Sequence, residues 1–257
     1  MKPYTIMILI ALGLPAPSVF AATEVNVHVA GEVAVAGYVA LPEGARISAA
    51  ALAARPTQDA YFLGAALLRN EAQRDQTRLK AGLLFELESI IGSGDAETAA
   101  IADNLHDFFA SLPVTGRVPR LLEPRALEAT LAQDRPALEG DKLIYPARPD
   151  TVTVVGAVAT PCSLPHAPEQ TPIGYARQCA RSTAASKDDL YVVQPDGAIQ
   201  KIGIALWNRS TESVLAPGAV VYVPLANTAA ADDASELNED AARFLATQVL
   251  PAPGVEL

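Results

Sequence analysis

The sequence predicts an α+β fold in which two small β-rich modules follow one another. The first carries an inserted helical hairpin and the second leads into a C-terminal amphipathic helix. Three observations predict it. A turn followed by a short apolar strand occurs twice, as Leu138-Glu-Gly-Asp-Lys-Leu-Ile-Tyr-Pro146 and as Leu215-Ala-Pro-Gly-Ala-Val-Val-Tyr-Val-Pro224. Each is matched upstream by a Val-rich run ending in glycine, Val25-Asn-Val-His-Val-Ala-Gly31 and Thr151-Val-Thr-Val-Val-Gly156, so the chain reads as a diverged tandem duplication. Between the two halves of the first copy, and again after the second copy, the apolar period changes from that of a strand to that of a helix.

Residues 1–21 read as a cleaved secretory signal peptide: Met1-Lys2, an apolar run from Ile6 to Leu14, and Val19-Phe20-Ala21 with small residues where a signal peptidase acts. That run is too short to cross a hydrocarbon core about 30 Å thick, and no later segment is apolar for long enough, so no stable membrane span is expected. A lipid anchor would need a cysteine at the cleavage point, and the first cysteine is Cys162.

The first module is expected over 22–149. Residues 25–41 give two strands and a turn, ending at Pro42-Glu-Gly44, and Ile47 to Ala54 suits a short helix. The hairpin insertion is expected over about 59–112. Leu79, Leu83, Leu87, Ile90 and Ile91 share one helix face, Gly92-Ser-Gly94 stops it, and Asp95 caps a second helix striped by Ile101, Leu105, Phe108, Phe109 and Leu112. Extended chain resumes at Gly116-Arg-Val-Pro-Arg-Leu-Leu122. Pro124 to Leu131 forms a short helix with proline at its start, and Lys142 to Tyr145 is the closing strand.

Arg148-Pro149-Asp150 marks the boundary to a second module over 150–226. It reads as a strand at 151–158, a proline-rich cysteine loop, a helix around Ile173 to Arg181, and strands near 190–194, 198–202 and 219–223. Gln194-Pro-Asp-Gly197 turns between two of these. The tail helix, within 232–250, opens on the capping-box-like Asp233-Ala-Ser-Glu236 and ends at Pro251. Its face of Leu237, Ala241, Phe244, Leu245 and Val249 either docks on the chain's own modules or meets a partner, with Leu237, Phe244 and Leu245 as the partner-helix candidates.

Composition narrows the function. With 19 basic against 29 acidic residues the formal charge is −10, and losing the leader removes one cation, Lys2, and no acid. Such a surface repels nucleic acid and anionic lipid, so no nucleic-acid partner is expected. Cys162 and Cys179, an even count in an exported chain, point to a disulfide; the rival reading is a catalytic thiol paired with His166. His28, His106 and His166 lack metal-ligand spacing, no phosphate-cradling or nucleophile motif occurs, and neither metal nor cofactor is expected.

Several motifs occur in a fixed order. They are Leu63-Gly64-Ala65, Thr115-Gly116-Arg117 with Pro119, Pro136-Ala-Leu-Glu-Gly-Asp141, Leu143-Ile-Tyr145 and Arg148-Pro149. The second module adds Gly156-Ala157-Val158, Leu164-Pro165, Gln194-Pro-Asp-Gly197, Ala205-Leu206-Trp207-Asn208, Pro217-Gly218 and Glu236-Leu-Asn-Glu-Asp240. In these the chain resembles the GfcC family of periplasmic capsule and exopolysaccharide biosynthesis proteins. The resemblance implies two tandem β-grasp domains of the soluble-ligand-binding type, similar to domains of Wza-type polysaccharide export channels. It implies a non-catalytic periplasmic accessory whose partners are a polysaccharide or envelope export proteins, with the oligomeric state left open. The chain departs from the family pattern in its two cysteines and in Tyr61-Phe62, where related members carry paired tryptophans.

Arg117, Trp207 and Asn208 are the ligand-binding candidates that this resemblance carries over. A guanidinium offers a planar donor fork to a carboxylate or to sugar hydroxyls, or else holds a structural ion pair. The indole of Trp207 either stacks on a sugar face or fills the second module's core. Two other functions stand beside the accessory role. A periplasmic polysaccharide-modifying hydrolase needs two carboxylates about 5–10 Å apart across a cleft, and no acidic pair stands out. An oligomeric structural subunit would use the C-terminal helix to assemble.

Overall fold

The computed structural model describes residues 23–93, 95–210, 213–226 and 234–255; the leader expected over 1–21 and the capping residue Asp233 lie outside them. The chain is an α+β fold with two mixed five-stranded sheets.

The first half runs β1 (Glu24–Gly31), β2 (Gly37–Pro42), α1 (Ile47–Ala54), β3 (Ala66–Leu68), α2 (Asn70–Ser93), α3 (Ala96–Ser111), β4 (Arg117–Val118), α4 (Pro124–Ala129) and β5 (Lys142–Tyr145). Its sheet has the order β2-β1-β5-β3-β4, with β1 and β5 parallel and the other neighbours antiparallel. The second half runs β6 (Thr151–Gly156), β7 (Cys162–Pro165), α5 (Pro172–Gln178), β8 (Asp189–Val193), β9 (Ile199–Gly203), β10 (Val220–Val223) and α6 (Ala234–Ala246). Its order, β7-β6-β10-β8-β9, repeats the first sheet position for position, again with only the central pair parallel.

The two glycines that end β1 and β6 show how deep the repeat goes. Gly31 (φ +95°) pairs with Tyr145 and Gly156 (φ +111°) with Val223, and an added Cβ would lie 2.0 Å and 2.1 Å from those partners' carbonyl oxygens. Only glycine fits either position. The register also corrects the alignment that the two tyrosines suggest: Tyr145 answers to Val223, not to Tyr222. A one-residue offset puts side chains on opposite faces of a sheet. Tyr145 therefore packs with α1 and α4, among Ile47, Ala50 and Leu127, and its hydroxyl donates to the Leu122 carbonyl at 3.1 Å. Tyr222 turns to the other face, toward Phe109 and Asn238.

That other face is where the helical elements go. Asp95 caps α3 by accepting from the amides of Glu97 and Thr98, 3.0 Å each, and Lys80 of α2 donates to the carbonyls of Ala110 and Leu112 at the far end of α3. The stripe of Leu83, Leu87, Ile90, Ile101, Leu105 and Phe109 then packs on the second sheet and α6, not on the sheet whose strands β3 and β4 flank the two helices in the chain. A helix's period shows that it has an apolar face, but not which sheet receives it.

Two strands were not expected. Ala66–Leu68 lies inside the span assigned to the hairpin, and Cys162–Pro165 inside the proline-rich loop. The first has three residues, all buried, and shows no alternation. The second carries its proline at its end, opposite Thr151 on an outer strand of the sheet, where a missing N–H is tolerated. Beyond α6 the chain crosses back. Val249, Ala252 and Val255 cover Ala66, Leu68 and Ile144, the face of the first sheet opposite α1.

Candidate functional site

Arg117 lies where three segments meet. Its side chain comes from β4, the outermost strand of the first sheet, and is 5% exposed. Nη1 donates to the carbonyls of Gln248 (2.7 Å) and Ala246 (3.4 Å), and Nη2 donates to the carbonyl of Pro195 in the β8–β9 turn. Gln76 of α2 fixes the strand from behind, donating to the Arg117 carbonyl at 2.9 Å and accepting from the Gly116 amide at 2.7 Å. Thr115 adds a hydroxyl bond of 2.6 Å to the Thr247 carbonyl. Burial pulls the guanidinium down to about 10, and Asp196 acts in the opposite direction.

The Nη donors of Arg117 thus go to main-chain carbonyls, its Nε has no hydrogen-bond partner, and among the described residues it forms no salt bridge. A neighbouring cavity of about 330 Å³ is lined by Arg117, Thr151, Gln194, Gln248 and Leu250. Tyr61 adds a second tie between the halves, its hydroxyl donating to the Pro217 carbonyl at 3.0 Å.

Trp207 does not fill a core. It is 78% exposed, on the loop that follows β9. Its Nε1 donates to Asp188 Oδ1 at 3.3 Å, leaving the faces of the ring to solvent. Asn208 fixes this corner. Its amide nitrogen donates to the Asp188 carbonyl (3.1 Å) and to Asp189 Oδ1 (3.2 Å), and its oxygen accepts from the Ala205 amide (3.0 Å). The amide of Asn208 thus braces the turn, and of the three ligand candidates Trp207 is the most exposed.

Asp188 links Trp207 to a polar pocket of about 330 Å³, which Lys187, Asp189, Tyr191, Lys201 and Asn238 also line. Lys201 stands 3.6 Å from Asp189 and 5.7 Å from the centre of the Tyr191 ring. Burial works against the Lys201 charge, but Tyr191 and Asp189 together raise its pKa above the ordinary lysine value. Burial raises the Tyr191 hydroxyl, with Lys201 opposing. The pocket wall is firm: Asn238 of α6 accepts from the Tyr222 hydroxyl (2.9 Å) and the Leu225 amide (3.0 Å), and donates to the Leu225 carbonyl (3.0 Å). Glu97 of α3 accepts from Ser182 and Thr183 at its rim.

Cys162 and Cys179 are joined in a disulfide that ties β7 to the end of α5, their Cα atoms 6.3 Å apart. This overturns the catalytic-thiol reading, and His166 contacts the Leu215 carbonyl through Nε2 at 2.9 Å. Leu237, Phe244 and Leu245 are 2%, 0% and 5% exposed, so the face proposed for a partner is spent on the chain's own core. Among the described residues no group of three or more His, Cys, Asp or Glu is arranged to hold a metal, and no helix is long and apolar enough to cross a membrane.

Asp188, Asp189, Tyr191 and Lys201 were not singled out in the sequence. The run Lys187-Asp-Asp189 before a strand is visible there, but nothing local shows that Trp207, far along the chain, folds back onto it.

Comparison with known proteins finds a relative over most of the chain and a family over part of its second half. The uncharacterized protein YjbG of Escherichia coli strain K12 is 28% identical over 194 residues, covering 75% of this chain and 78% of that protein. Residues 160–250 match the family described as capsule biosynthesis GfcC C-terminal, a stretch that includes the disulfide, the polar pocket, Trp207 and α6. Over that stretch the chain is similar to the C-terminal region of the GfcC capsule-biosynthesis proteins.

Proposed function

We propose that the protein is a non-catalytic periplasmic accessory of capsule or exopolysaccharide assembly or export, reached by cleavage of a leader at 1–21, that binds glycan or an export-complex protein. The observation that carries this is the GfcC match over 160–250, the same residues that build the exposed Trp207 corner and the polar pocket that Asp188 joins to it. The shared strand order, with a parallel central pair and one helix after each opening strand pair, supports two β-grasp domains over 22–149 and 150–226. The hairpin over about 59–112 is then an insertion in the first domain, and its apolar stripe packs on the second sheet. Burial of Leu237, Phe244 and Leu245 weighs against an oligomer built through the C-terminal helix.

The test is affinity capture with the tagged full chain from capsule-producing cells. Recovery of capsular glycan or of an envelope export protein is expected, with the length of added glycan unchanged. Recovery of neither would count against the role, and shortened glycan would favour the hydrolase.

A further inference from the structure

We infer that the pocket beside Trp207 is a subsite for a neutral pyranose within a saccharide chain, with the indole under the sugar's C–H face and Asp188 accepting from its hydroxyls. The inference deepens the accessory role proposed above and rests on it.

Three features point to a sugar. The first is the platform: a large aromatic that is 78% exposed, yet held by a bond from its Nε1 to Asp188 on a turn that Asn208 pins at three points. A ring fixed before the ligand arrives loses little freedom on binding. The second is the pocket itself. About 330 Å³ lies at the lower end of the range of small-molecule sites. The third is the set of polar groups. Among the described residues the Asp188 carboxylate accepts only from Trp207, through Oδ1, which leaves its Oδ2 to accept from a hydroxyl. Lys187 makes no ion pair among the described residues and supplies a donor. An apolar face, a carboxylate and an ammonium together suit a ligand with one C–H face and a rim of hydroxyls.

Charge selects a neutral sugar over an acidic one. Lys187 and Lys201 are balanced in the lining by Asp188 and Asp189, and Lys201 is already paired with Asp189. A uronate could pair only with Lys187, against the carboxylates of Asp188 and Asp189 in the same lining, and a polyanion would meet a chain of formal charge −10.

The experiment uses a property of the sequence: Trp207 is the only tryptophan, so indole emission reports on this site alone. The full chain is titrated with neutral hexose tetrasaccharides and with a uronic-acid tetrasaccharide. A saturable emission change with a neutral sugar is expected, at a Kd on the order of millimolar for one shallow subsite, and at least tenfold weaker binding of the uronate. Calorimetry should show at least tenfold loss in Trp207→Ala and about fivefold loss in Asp188→Asn, which keeps the fluorophore. Both side chains are exposed, and unchanged circular dichroism would show that the variants fold.

No emission change with any neutral sugar, uronate binding as tight as neutral, or calorimetric binding unaltered in Trp207→Ala would each overturn the subsite. Capsular glycan captured equally by the wild-type chain and by Trp207→Ala also overturns it, and leaves the accessory role standing. A saturable neutral-sugar response in a chain that captures no envelope component supports the subsite and removes the role.

Discussion

The guanidinium of Arg117 lies 2.7 Å from the main-chain carbonyl of Gln248, an oxygen 131 residues later in the chain, and donates to it from Nη1. With the further bonds to Ala246 and Pro195, one side chain joins the outermost strand of the first sheet to the tail and to a turn of the second. Arg117→Ala is expected to cost about 3 kcal/mol, because charged donors are lost and buried carbonyls are left unpaired. Arg117→Lys should recover at most half, since one ammonium does not span carbonyls on separate segments. Urea unfolding measures both; a loss below about 1 kcal/mol for the alanine variant would show that the junction is held elsewhere.

Phe109 of α3 and Phe244 of α6 meet edge to face, ring centres 6.3 Å apart and planes 63° apart, both fully buried. Each alanine variant should lose about 3–5 kcal/mol, and a double-mutant cycle should return a coupling of about 1 kcal/mol. Were α6 a detachable partner helix, Phe244→Ala would leave the unfolding midpoint unchanged.

Tyr145 and Tyr222 carry hydroxyls whose pKa burial raises above the ordinary tyrosine value, with Glu123 and Tyr191 respectively acting in the same direction. The folded chain therefore keeps these protons at a pH where the unfolded chain has lost them. Their contribution is complete below the unfolded value, about 10, and is lost as pH rises beyond it. Stability should fall steeply above about pH 10, with phenolate absorbance of these two tyrosines appearing together with loss of fold. Full phenolate formation by all tyrosines while the near-ultraviolet dichroism stays native would contradict this.

The disulfide closes a loop of 17 residues. Reduction, or Cys162→Ser with Cys179→Ser, should lower stability by about 3 kcal/mol. Thermal unfolding with and without reductant reads the difference; an unchanged midpoint would mean that the β7–α5 contact holds without the bond.

Much of the fold was legible because its signals are local. The stripes of α2 and α3, the cap at Asp95, the turn at Gln194 to Gly197 and the alternation in β1 and β6 each arise within a few residues. Ala66–Leu68 was not legible, because three buried residues have no period to display. The destination of the hairpin was hidden for a different reason. Leu83, Leu87 and Phe109 would look the same in sequence whether they faced the first sheet or the second. At the candidate site, the pairing of Trp207 with Asp188 is a contact across a β8–β9 hairpin and its following loop, and no spacing rule predicts it. Arg117 could be found by its motif, but its partners are main-chain oxygens, which leave no trace in side-chain identity.

Among the described elements α6 arrives last from a ribosome or a translocation channel, and between them it and the segment after it cover a face of each sheet. Until α6 and the irregular segment behind it emerge, Tyr222 lacks its Asn238 partner, and Ala66, Leu68 and Ile144 lie bare. A nascent chain delivered N-terminus first therefore keeps these surfaces uncovered until residues 234–255 have emerged. Chaperone dependence and protease sensitivity during synthesis should be set by the arrival of that stretch, and not by either module on its own.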